Sequence, residues 1–175
     1  MIKRGEFVDF RLDLVPARRK QVIAGLMQLY LYDFTLYTNL EVNQDGVFPG
    51  YPGLDDYWRR GTGKYPFLMT HGGHPAGFAL VDRLTEPEEG DYYMTEFFVM
   101  QKYRRCGLGS WAACELFDRF QGRWKVTQVK KNLPAQAFWR KVIGGYTGQQ
   151  FEEKIHPSSG NVSQYFTSHK VHAIN

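Results

Sequence analysis

A short basic loop with two glycines is the part of the sequence best suited to bind a ligand. Residues 103–110 read Tyr-Arg-Arg-Cys-Gly-Leu-Gly-Ser, between a segment predicted to be a strand and one predicted to be a helix. Glycines two apart let the backbone approach a ligand and present its amides. The helix start adds unpaired N–H groups and partial positive charge, and Lys102, Arg104 and Arg105 add cations. The loop therefore predicts an anion site, most simply for phosphate, rather than a solvated glycine turn.

Two other phosphate motifs fit this sequence poorly. Residues 107–112 spell G-x-G-x-x-A, the dinucleotide fingerprint, but that motif belongs after the first strand of a βαβ unit. Here it lies past the midpoint of the chain, and residues 127–131 (Thr-Gln-Val-Lys-Lys) lack the acidic residue that would bind the ribose. Residues 61–64 (Gly-Thr-Gly-Lys) lack the spacing of a Walker A loop, and Tyr65 stands where that loop needs Ser or Thr. The sequence therefore predicts neither a nicotinamide site nor a P-loop.

Glu96 is the residue best placed to act as a general base. Period-two alternation groups five residues on one face of a predicted strand: Tyr92, Met94, Glu96, Phe98 and Met100. Glu96 carries the only charge in that row, and desolvation there would raise the pKa of its carboxyl toward neutrality. A general base that works near neutral pH needs such a pKa. The alternatives are a glutamate paired with an arginine and one that faces solvent at a strand edge.

Other residues with chemical potential have weaker cases. Four tyrosines would line a substrate pocket or simply fill the core: Tyr30, Tyr32, Tyr37 and Tyr57. His71 and His74 form an H-x-x-H pair around two glycines, but no third ligand is evident, so we expect no metal site. Cys106 lies beside arginines, yet its thiol has no histidine partner for nucleophilic chemistry. Ser110 fits a phosphate contact at a helix start better than a nucleophile.

The elements that would position these residues follow from periodicity and turn signals. Strands are predicted at residues 7–14, 65–71, 74–84, 91–100, 124–129, 145–155 and 162–170, and helices at 17–38, 108–120 and 134–142, with one helical turn at 54–60. Residues 72–73 (Gly-Gly) predict a hairpin turn. Residues 39–63 predict a long loop in which Asp45, Asp55 and Asp56 lie among aromatics. That combination suits a binding site for a cationic ligand, although surface loops are also often acidic for solubility.

The composition is that of a globular protein and narrows the possible classes. The 175 residues are 43% hydrophobic and 23% charged, so we expect a single domain over residues 1–175. No segment has the roughly 18 apolar residues that span a bilayer, and the first ten residues lack the apolar centre of a secretory signal. Cys106 and Cys114 would be too far apart along a helix for a disulfide. We therefore expect a cytoplasmic protein with reduced thiols.

The sequence resembles the GNAT N-acetyltransferase superfamily in two motifs. Residues 104–109 (Arg-Arg-Cys-Gly-Leu-Gly) match its acetyl-CoA motif Q/R-x-x-G-x-G/A, and residues 132–139 (Asn-Leu-Pro-Ala-Gln-Ala-Phe-Trp) are similar to its N-x-x-A-x-x-F-Y pattern. Residues 96–103 look like its fourth strand and the bulged exit from it. The resemblance implies a GNAT-like α/β fold, a mixed sheet of about seven strands flanked by about four helices and splayed at strand four near Val99. The motifs themselves occupy only about residues 91–143.

The resemblance also implies roles for individual residues. The amides of residues 105–110 would hold the pyrophosphate of acetyl-CoA, and backbone groups of residues 98–100 would pair with its pantetheine arm. A strand-four amide near Val99 would stabilise the oxyanion. Asn132 would contact the pantetheine arm. The implied cofactor-binding residues are Phe98, Val99, Met100, Arg104, Arg105, Cys106, Gly107, Leu108, Gly109, Ser110, Asn132, Ala135, Phe138 and Trp139.

Together these observations predict acetyl transfer from acetyl-CoA to a primary amine by direct attack. Trp139 departs from the family pattern, in which many members carry a tyrosine that protonates the departing thiolate; an indole donates a hydrogen bond but not its proton. A non-catalytic CoA-binding or acyl-CoA-sensing module is therefore the alternative. A net charge of +4 would also suit nucleic acid, but the cations cluster at the phosphate loop and no stacking motif is present. The expected partner is a small-molecule or peptide amine, with no nucleic acid and no membrane, and a homodimer is left open.

Overall fold

The computed structural model describes residues 9–169, which form a seven-stranded mixed sheet with helices on both faces. The elements in chain order are β1 (Phe10–Leu14), α1 (Lys20–Phe34), β2 (Lys64–His71), β3 (His74–Arg83), β4 (Tyr92–Val99), α2 (Leu108–Arg119), β5 (Gly122–Gln128), α3 (Leu133–Thr147), β6 (Glu152–Ile155) and β7 (Val162–Ser168). Short 3-10 helices cover Ala17–Arg19, Leu54–Trp58 and Gln101–Tyr103. The sheet order is β1-β2-β3-β4-β5-β7-β6, and among these described strands only the β4–β5 pair is parallel. The predicted mixed fold is confirmed, with three α-helices among the described residues rather than about four.

Two hydrophobic clusters lie on opposite faces of the sheet. On one face α1 buries Ile23 and Met27 against β2–β4, including Phe78 of β3. On the other face α2 and α3 pack over β4, β5 and β7, with Phe117 and Trp124 fully buried among their aromatic neighbours. No helix within residues 9–169 is long and apolar enough to cross a membrane. The central strands therefore have helices on both sides, and β4 contributes to both clusters.

The three-strand meander β2–β3–β4 depends on glycines at two places. Gly72 and Gly73 have φ of 56° and 78°, so they form the left-handed turn that the Gly-Gly pair predicts. Gly77 in β3 lies so close to β4 that a Cβ there would overlap the Phe98 carbonyl oxygen and come within 3.1 Å of the Val99 Cα. Strands β3 and β4 are thus held at a distance that only glycine permits at this position.

The C-terminal third differs from the sequence prediction. Helix α3 continues to Thr147, so the predicted strand from residue 145 is wrong over its first part, and β6 begins only at Glu152. The helix continues because Trp139, Val142, Ile143 and Tyr146 form one apolar face that packs on the core. Gly148, with φ of 62°, ends it.

The end of the first predicted helix also shifts. Helix α1 ends at Phe34 rather than residue 38, because the chain turns there and the Thr35 and Thr38 hydroxyls donate to carbonyls of the last helical turn. Residues 7, 8 and 170 of the predicted terminal strands lie outside the described range.

Candidate active site

A β-bulge in β4 opens the sheet. Leu80 pairs with Glu96 but the next residue of β3, Val81, pairs with Met94, so Thr95 is an extra residue in β4. Beyond the bulge, β4 leaves β5, and the parallel pairing between them covers only Tyr92–Met94. A bulge bends its strand and strengthens the local twist, which separates the two strands further along. The result is a gap between the C-terminal halves of β4 and β5, as expected for a sheet splayed at strand four.

The bulge also changes which side chains share a face. Tyr92 and Met94 belong to the cluster under α2 and α3, whereas Phe98 and Met100 belong to the cluster under α1. The prediction that these four residues and Glu96 form one row is therefore wrong, because the extra residue inverts the alternation. Glu96 points to the α1 side of the sheet, where it meets aromatic side chains of α1.

A cavity of about 830 Å³ passes through this gap and reaches both faces of the sheet. Its α1 side is lined by Tyr30, Asp33, Phe34, Leu36, Tyr37, Tyr93 and Glu96, and its opposite side by Val99, Arg105, Gly107, Gly109, Ser110, Asn132, Ala135, Phe138, Trp139 and Lys141. Met100, Cys106 and Leu108, which the resemblance implied as cofactor contacts, do not line it. Most of the implied cofactor-binding side chains are thus brought together around one space.

The loop before α2 presents a row of free amides to this cavity. Arg105 and Gly107 both have left-handed backbones, with φ of 64° and 96°. Among the described residues, none accepts a hydrogen bond from the N–H groups of residues 105–110. Alternating left- and right-handed residues turn successive amides toward one point, and the N-terminus of α2 adds its partial positive charge. This end of the cavity is chemically suited to a phosphate or diphosphate.

The basic side chains of this loop do not all face the anion site. Arg104 forms an ion pair with Asp33 of α1, and its Nε donates to the Val99 carbonyl at 2.7 Å. Arg104 thus connects the loop to α1 and β4, rather than standing free beside the amides as expected. Arg105 and Lys141 are exposed, line the cavity and have no ion-pair partner within residues 9–169.

One backbone donor of β4 faces the gap. The Met100 N–H donates to the Ala76 carbonyl of β3 at 2.9 Å, and the backbone groups of alternate residues point to the same side of a strand. Phe98 and Met100 therefore direct their backbone groups to β3 and away from the gap, where the resemblance implied that they would pair with a cofactor arm. Val99 directs its backbone toward the gap, where Arg104 already occupies its carbonyl. Its N–H has no acceptor among the described residues.

Glu96 lies at the centre of a tyrosine cluster on the α1 side. The hydroxyl of Tyr30 donates to one carboxylate oxygen and that of Tyr51 donates to the other, at 2.6 Å. Within residues 9–169 no cation pairs with this carboxylate. Burial raises the pKa of Glu96 above its ordinary value, and the two tyrosine hydrogen bonds oppose that rise. Burial and the nearby carboxylate also raise the pKa of Tyr30 and of Tyr51 far above the ordinary value of a tyrosine. Both hydroxyls therefore stay protonated and act as hydrogen-bond donors.

Aromatic rings surround the space in front of Glu96. Ring centroids are 4.8 Å apart for Tyr30 and Phe34, 5.9 Å for Phe34 and Tyr37, and 5.7 Å for Tyr30 and Phe98. Tyr32 is 67% exposed on α1 and lies outside the cavity, contrary to expectation.

The long loop contributes less to this space than its acidic residues suggested. Tyr57 is buried and donates to Asp82 rather than lining the cavity. Asp55 and Asp56 pair on the surface with Lys20 and Arg59, so of residues 39–63 only Tyr51 reaches Glu96.

The start of α3 forms the remaining wall. The Oδ1 of Asn132 accepts from the Ala135 N–H at 3.1 Å and caps the helix, which leaves its Nδ2 available to a ligand. Trp139 is 5% exposed, with its ring centroid 5.0 Å from those of Phe97 and Phe138. No described residue accepts a hydrogen bond from its indole N–H. Trp139 thus lines the cavity chiefly as a packed hydrophobic wall.

The histidine and cysteine candidates lie elsewhere. His71 stacks on Tyr103 with centroids 5.3 Å apart, His74 is exposed, and the Cys106 thiol donates to the Tyr103 carbonyl. Cys106 and Cys114 are both free thiols. Within the described part of the chain, no three His, Cys, Asp or Glu side chains are grouped as a metal would require.

Three residues of the site were not singled out from the sequence. Tyr51 was hidden in a loop of mixed composition, Asp33 lay within a predicted helix without any chemical motif, and Lys141 followed a motif whose pattern ended at Trp139. A signal for the bulge was present, since doubled aromatics at residues 92–93 and 97–98 conflict with strict alternation.

Comparison with known proteins connects this architecture to one family. The family model described as "Acetyltransferase (GNAT) family" matches residues 25–144. No curated protein sequence matches the chain.

Solved structures with similar folds include three acetyltransferases. The chain is similar to an acetyltransferase from Thermus thermophilus, with TM-score 0.64, 16% identity and coverage of 90% of this chain and 96% of that one. It is also similar to the ribosomal-protein-S18-alanine N-acetyltransferase from Escherichia coli, with TM-score 0.58, 12% identity and coverage of 95% of this chain and 98% of that one. A third is a GNAT-family acetyltransferase from Streptococcus pneumoniae, with TM-score 0.57, 13% identity and coverage of 90% of this chain and 97% of that one. Identities this low show a shared fold and nothing about the acceptor.

Proposed function

Because the chain belongs to the GNAT acetyltransferase family, we propose that it transfers an acetyl group from acetyl-CoA to the nitrogen of a primary amine. One observation carries the proposal: a single cavity joins free amides on one face of the sheet to a buried carboxylate on the other. A donor with a diphosphate and a long thin arm fits the first part, and a cationic acceptor fits the second.

The residues that would hold acetyl-CoA follow from the geometry. The amides of residues 105–110 would bind the diphosphate, with Arg105 and Lys141 as nearby cations. The Val99 N–H would point to the arm in the gap between β4 and β5, and the Asn132 Nδ2 would lie beside it. The free amides and the unpaired edge of β4 are what makes this chain fit such a molecule.

Acetyl-CoA would supply a thioester, whose carbonyl carbon forms a C–N bond with the amine as the C–S bond breaks and sulfur leaves with the electron pair. Glu96 would accept the proton that the ammonium must lose before it can attack, since burial raises the pKa of its carboxyl. Tyr30 and Tyr51 would hold both oxygens of that carboxylate in place. The Val99 N–H would stabilise negative charge on the carbonyl oxygen. The sulfur would take its proton from water, because Trp139 has none to give.

The second candidate is a non-catalytic module that binds coenzyme A. It is favoured by Trp139, a buried ring where many family members place the proton-donating tyrosine. Coenzyme A binding by itself would satisfy both candidates, so the two differ only in turnover.

One experiment tests both candidates on the purified chain. Calorimetry would measure the affinity for coenzyme A, and thiol release from acetyl-CoA would be followed with a panel of amines, with the acetylated products identified by mass spectrometry. We expect binding and amine-dependent release. Binding without product from any amine would favour the module, and the absence of binding would refute both assignments.

A further inference from the structure

The charged groups of the cavity limit what kind of amine can enter it. Five of the described residues that line the cavity have a charged side chain: Asp33, Glu96, Arg104, Arg105 and Lys141. Asp33 is neutralised by its ion pair with Arg104 and also accepts a hydrogen bond from Gln101. The described acceptor side therefore offers one uncompensated negative charge, on Glu96.

The walls around that charge are apolar. Phe34 and Tyr37 stack edge to face at 5.9 Å, Tyr30 lies against Phe34, and Leu36 projects into the opening with 78% of its surface exposed. Aromatic faces stabilise an ammonium by cation–π attraction and also gain by covering hydrocarbon. Exposed leucine at the rim of a pocket is stabilised when a ligand with an apolar surface covers it.

A polycation would find little to bind here. Its second and third ammonium groups would find no further unpaired carboxylate on the described acceptor side, where the rings offer only cation–π attraction, and Arg105 and Lys141 further along the cavity would repel them. An extended peptide would need backbone hydrogen-bond partners, yet the described groups nearest Glu96 are aromatic rings and the hydroxyls of Tyr30 and Tyr51, which already donate to its carboxylate. Both classes would leave polar or charged groups desolvated without partners.

We propose that the acceptor is a monoamine: a single primary ammonium carried by an alkyl or aromatic body. The ammonium lies against Glu96 and the body against Phe34, Leu36 and Tyr37. This assignment rests on the proposed function, and it names the acceptor class for that site. In the transfer, the ammonium loses one proton to Glu96, and the amine nitrogen bonds to the acetyl carbon as the C–S bond breaks. The second proton of that nitrogen passes through water to the departing thiolate, which is released as the thiol of coenzyme A.

The first test compares three probes: 2-phenylethylamine, spermidine and alanyl-alanine amide. The readouts are kcat/KM from thiol release and, independently of turnover, the calorimetric affinity of each probe for the protein saturated with coenzyme A. We expect 2-phenylethylamine to exceed both others at least about tenfold in each readout, which corresponds to about 1.4 kcal/mol. Preference for spermidine or for the dipeptide amide would overturn the proposal.

A pair of charge variants tests whether the single charge sets this preference. Leu36→Glu adds a carboxylate at the rim, and Tyr32→Glu adds the same charge to an exposed residue outside the cavity. Both positions are exposed, so neither change disturbs the core. We expect the kcat/KM ratio of spermidine to 2-phenylethylamine to rise about tenfold in Leu36→Glu and less than about twofold in Tyr32→Glu. Equal changes in the two variants would contradict a local origin.

The outcomes separate this inference from the function beneath it. Coenzyme A binding together with efficient acetylation of spermidine would refute only the acceptor class. Absence of both coenzyme A binding and transfer would refute the proposed function, and the acceptor class with it.

Discussion

At the scale of single residues, Glu96 is distinguished by its partners. Alternation left open a pairing with arginine and exposure at a strand edge, and the structure places the carboxylate instead between two tyrosine hydroxyls. A buried carboxylate without a cation keeps a raised pKa, whereas one paired with arginine would have a lowered pKa. Its surroundings therefore favour proton acceptance more than those of an exposed or arginine-paired carboxylate would.

Replacing the carboxyl by an amide should remove this proton acceptor. For Glu96→Gln we expect turnover to fall by about 10² or more, while the affinity for coenzyme A changes less than about twofold. Wild-type rates should fall as pH falls through the raised pKa of Glu96, because protonation disables the base. In the variant that acidic limb should flatten. Steady-state rates from about pH 5 to 9 would show it, and an unchanged limb would exclude Glu96 as the base.

Tyr51 should tune the base without replacing it. Its hydrogen bond stabilises the ionised carboxylate and so lowers the pKa of Glu96 relative to burial alone. In Tyr51→Phe that pKa should rise, and the acidic limb of the rate profile should move to higher pH. Tyr37→Phe is the matched control, since Tyr37 lines the same cavity without a described bond to Glu96. A shift of equal size in both variants would show that the effect is not due to this hydrogen bond.

At the scale of elements, the backbone conformation of the turn before α2 creates the anion site, because it leaves the amides of residues 105–110 free. Gly107→Asp would place a negative side chain among the free amides, and we expect coenzyme A affinity to fall at least about tenfold. Gly46→Asp is a matched control: both glycines have positive φ, 96° and 73°, and a Cβ at either meets no atom within 4 Å. Strain and added charge are thus similar in the two variants. Calorimetry would compare them, and equal losses would refute the anion site.

The order of the elements was predictable from the sequence because it depends on local signals. The Gly72–Gly73 turn and the apolar runs on either side of it are examples. The course of β4 was not predictable from the sequence. The extra residue Thr95 reverses which face of the sheet each later side chain of β4 lies on, and the composition of the strand gives no sign of it. Helix α3 was underestimated because Gly144 and Gly145 suggested a break. In the folded chain Gly144 packs against the Gln149 amide, which would have to move to admit a side chain there.

Within the site, residues that are close together in the sequence could be predicted, whereas those brought together by long-range contacts could not. The amide loop could be located in one stretch of sequence, since its glycines and arginines are consecutive. Tyr51 could not, because its contact with Glu96 spans 45 residues and depends on how the loop folds over α1 and β4. The ion pair of Asp33 with Arg104 spans 71 residues and was missed for the same reason.

At the scale of the whole molecule, the sheet consists of two parts joined at one short pairing. Within the described residues, strands β1–β4 are hydrogen-bonded to the β5–β7–β6 part only along Tyr92–Met94 and at the adjoining Asp91, whose N–H donates to the Arg123 carbonyl. A ligand arm in the gap would bridge the parts where they separate, so coenzyme A should slow amide hydrogen exchange at residues 126–129 by about tenfold or more. Residues 67–69, within the β2–β3 pairing, are the internal control. Equal protection in both regions would argue against a ligand in the gap.

Gly77 is a residue that evolution would conserve although it lies away from the reacting groups. It lies outside the cavity, yet any side chain there would collide with the Phe98 carbonyl and push away the strand that aims the Val99 N–H. Descendants of this sequence would thus be constrained at a position that touches neither donor nor acceptor. A library of all substitutions at residue 77, selected for coenzyme A binding, should return glycine almost alone, and Gly77→Ala should unfold more easily by about 3 kcal/mol. Broad tolerance at this position would mean that the two strands can be spaced in more than one way.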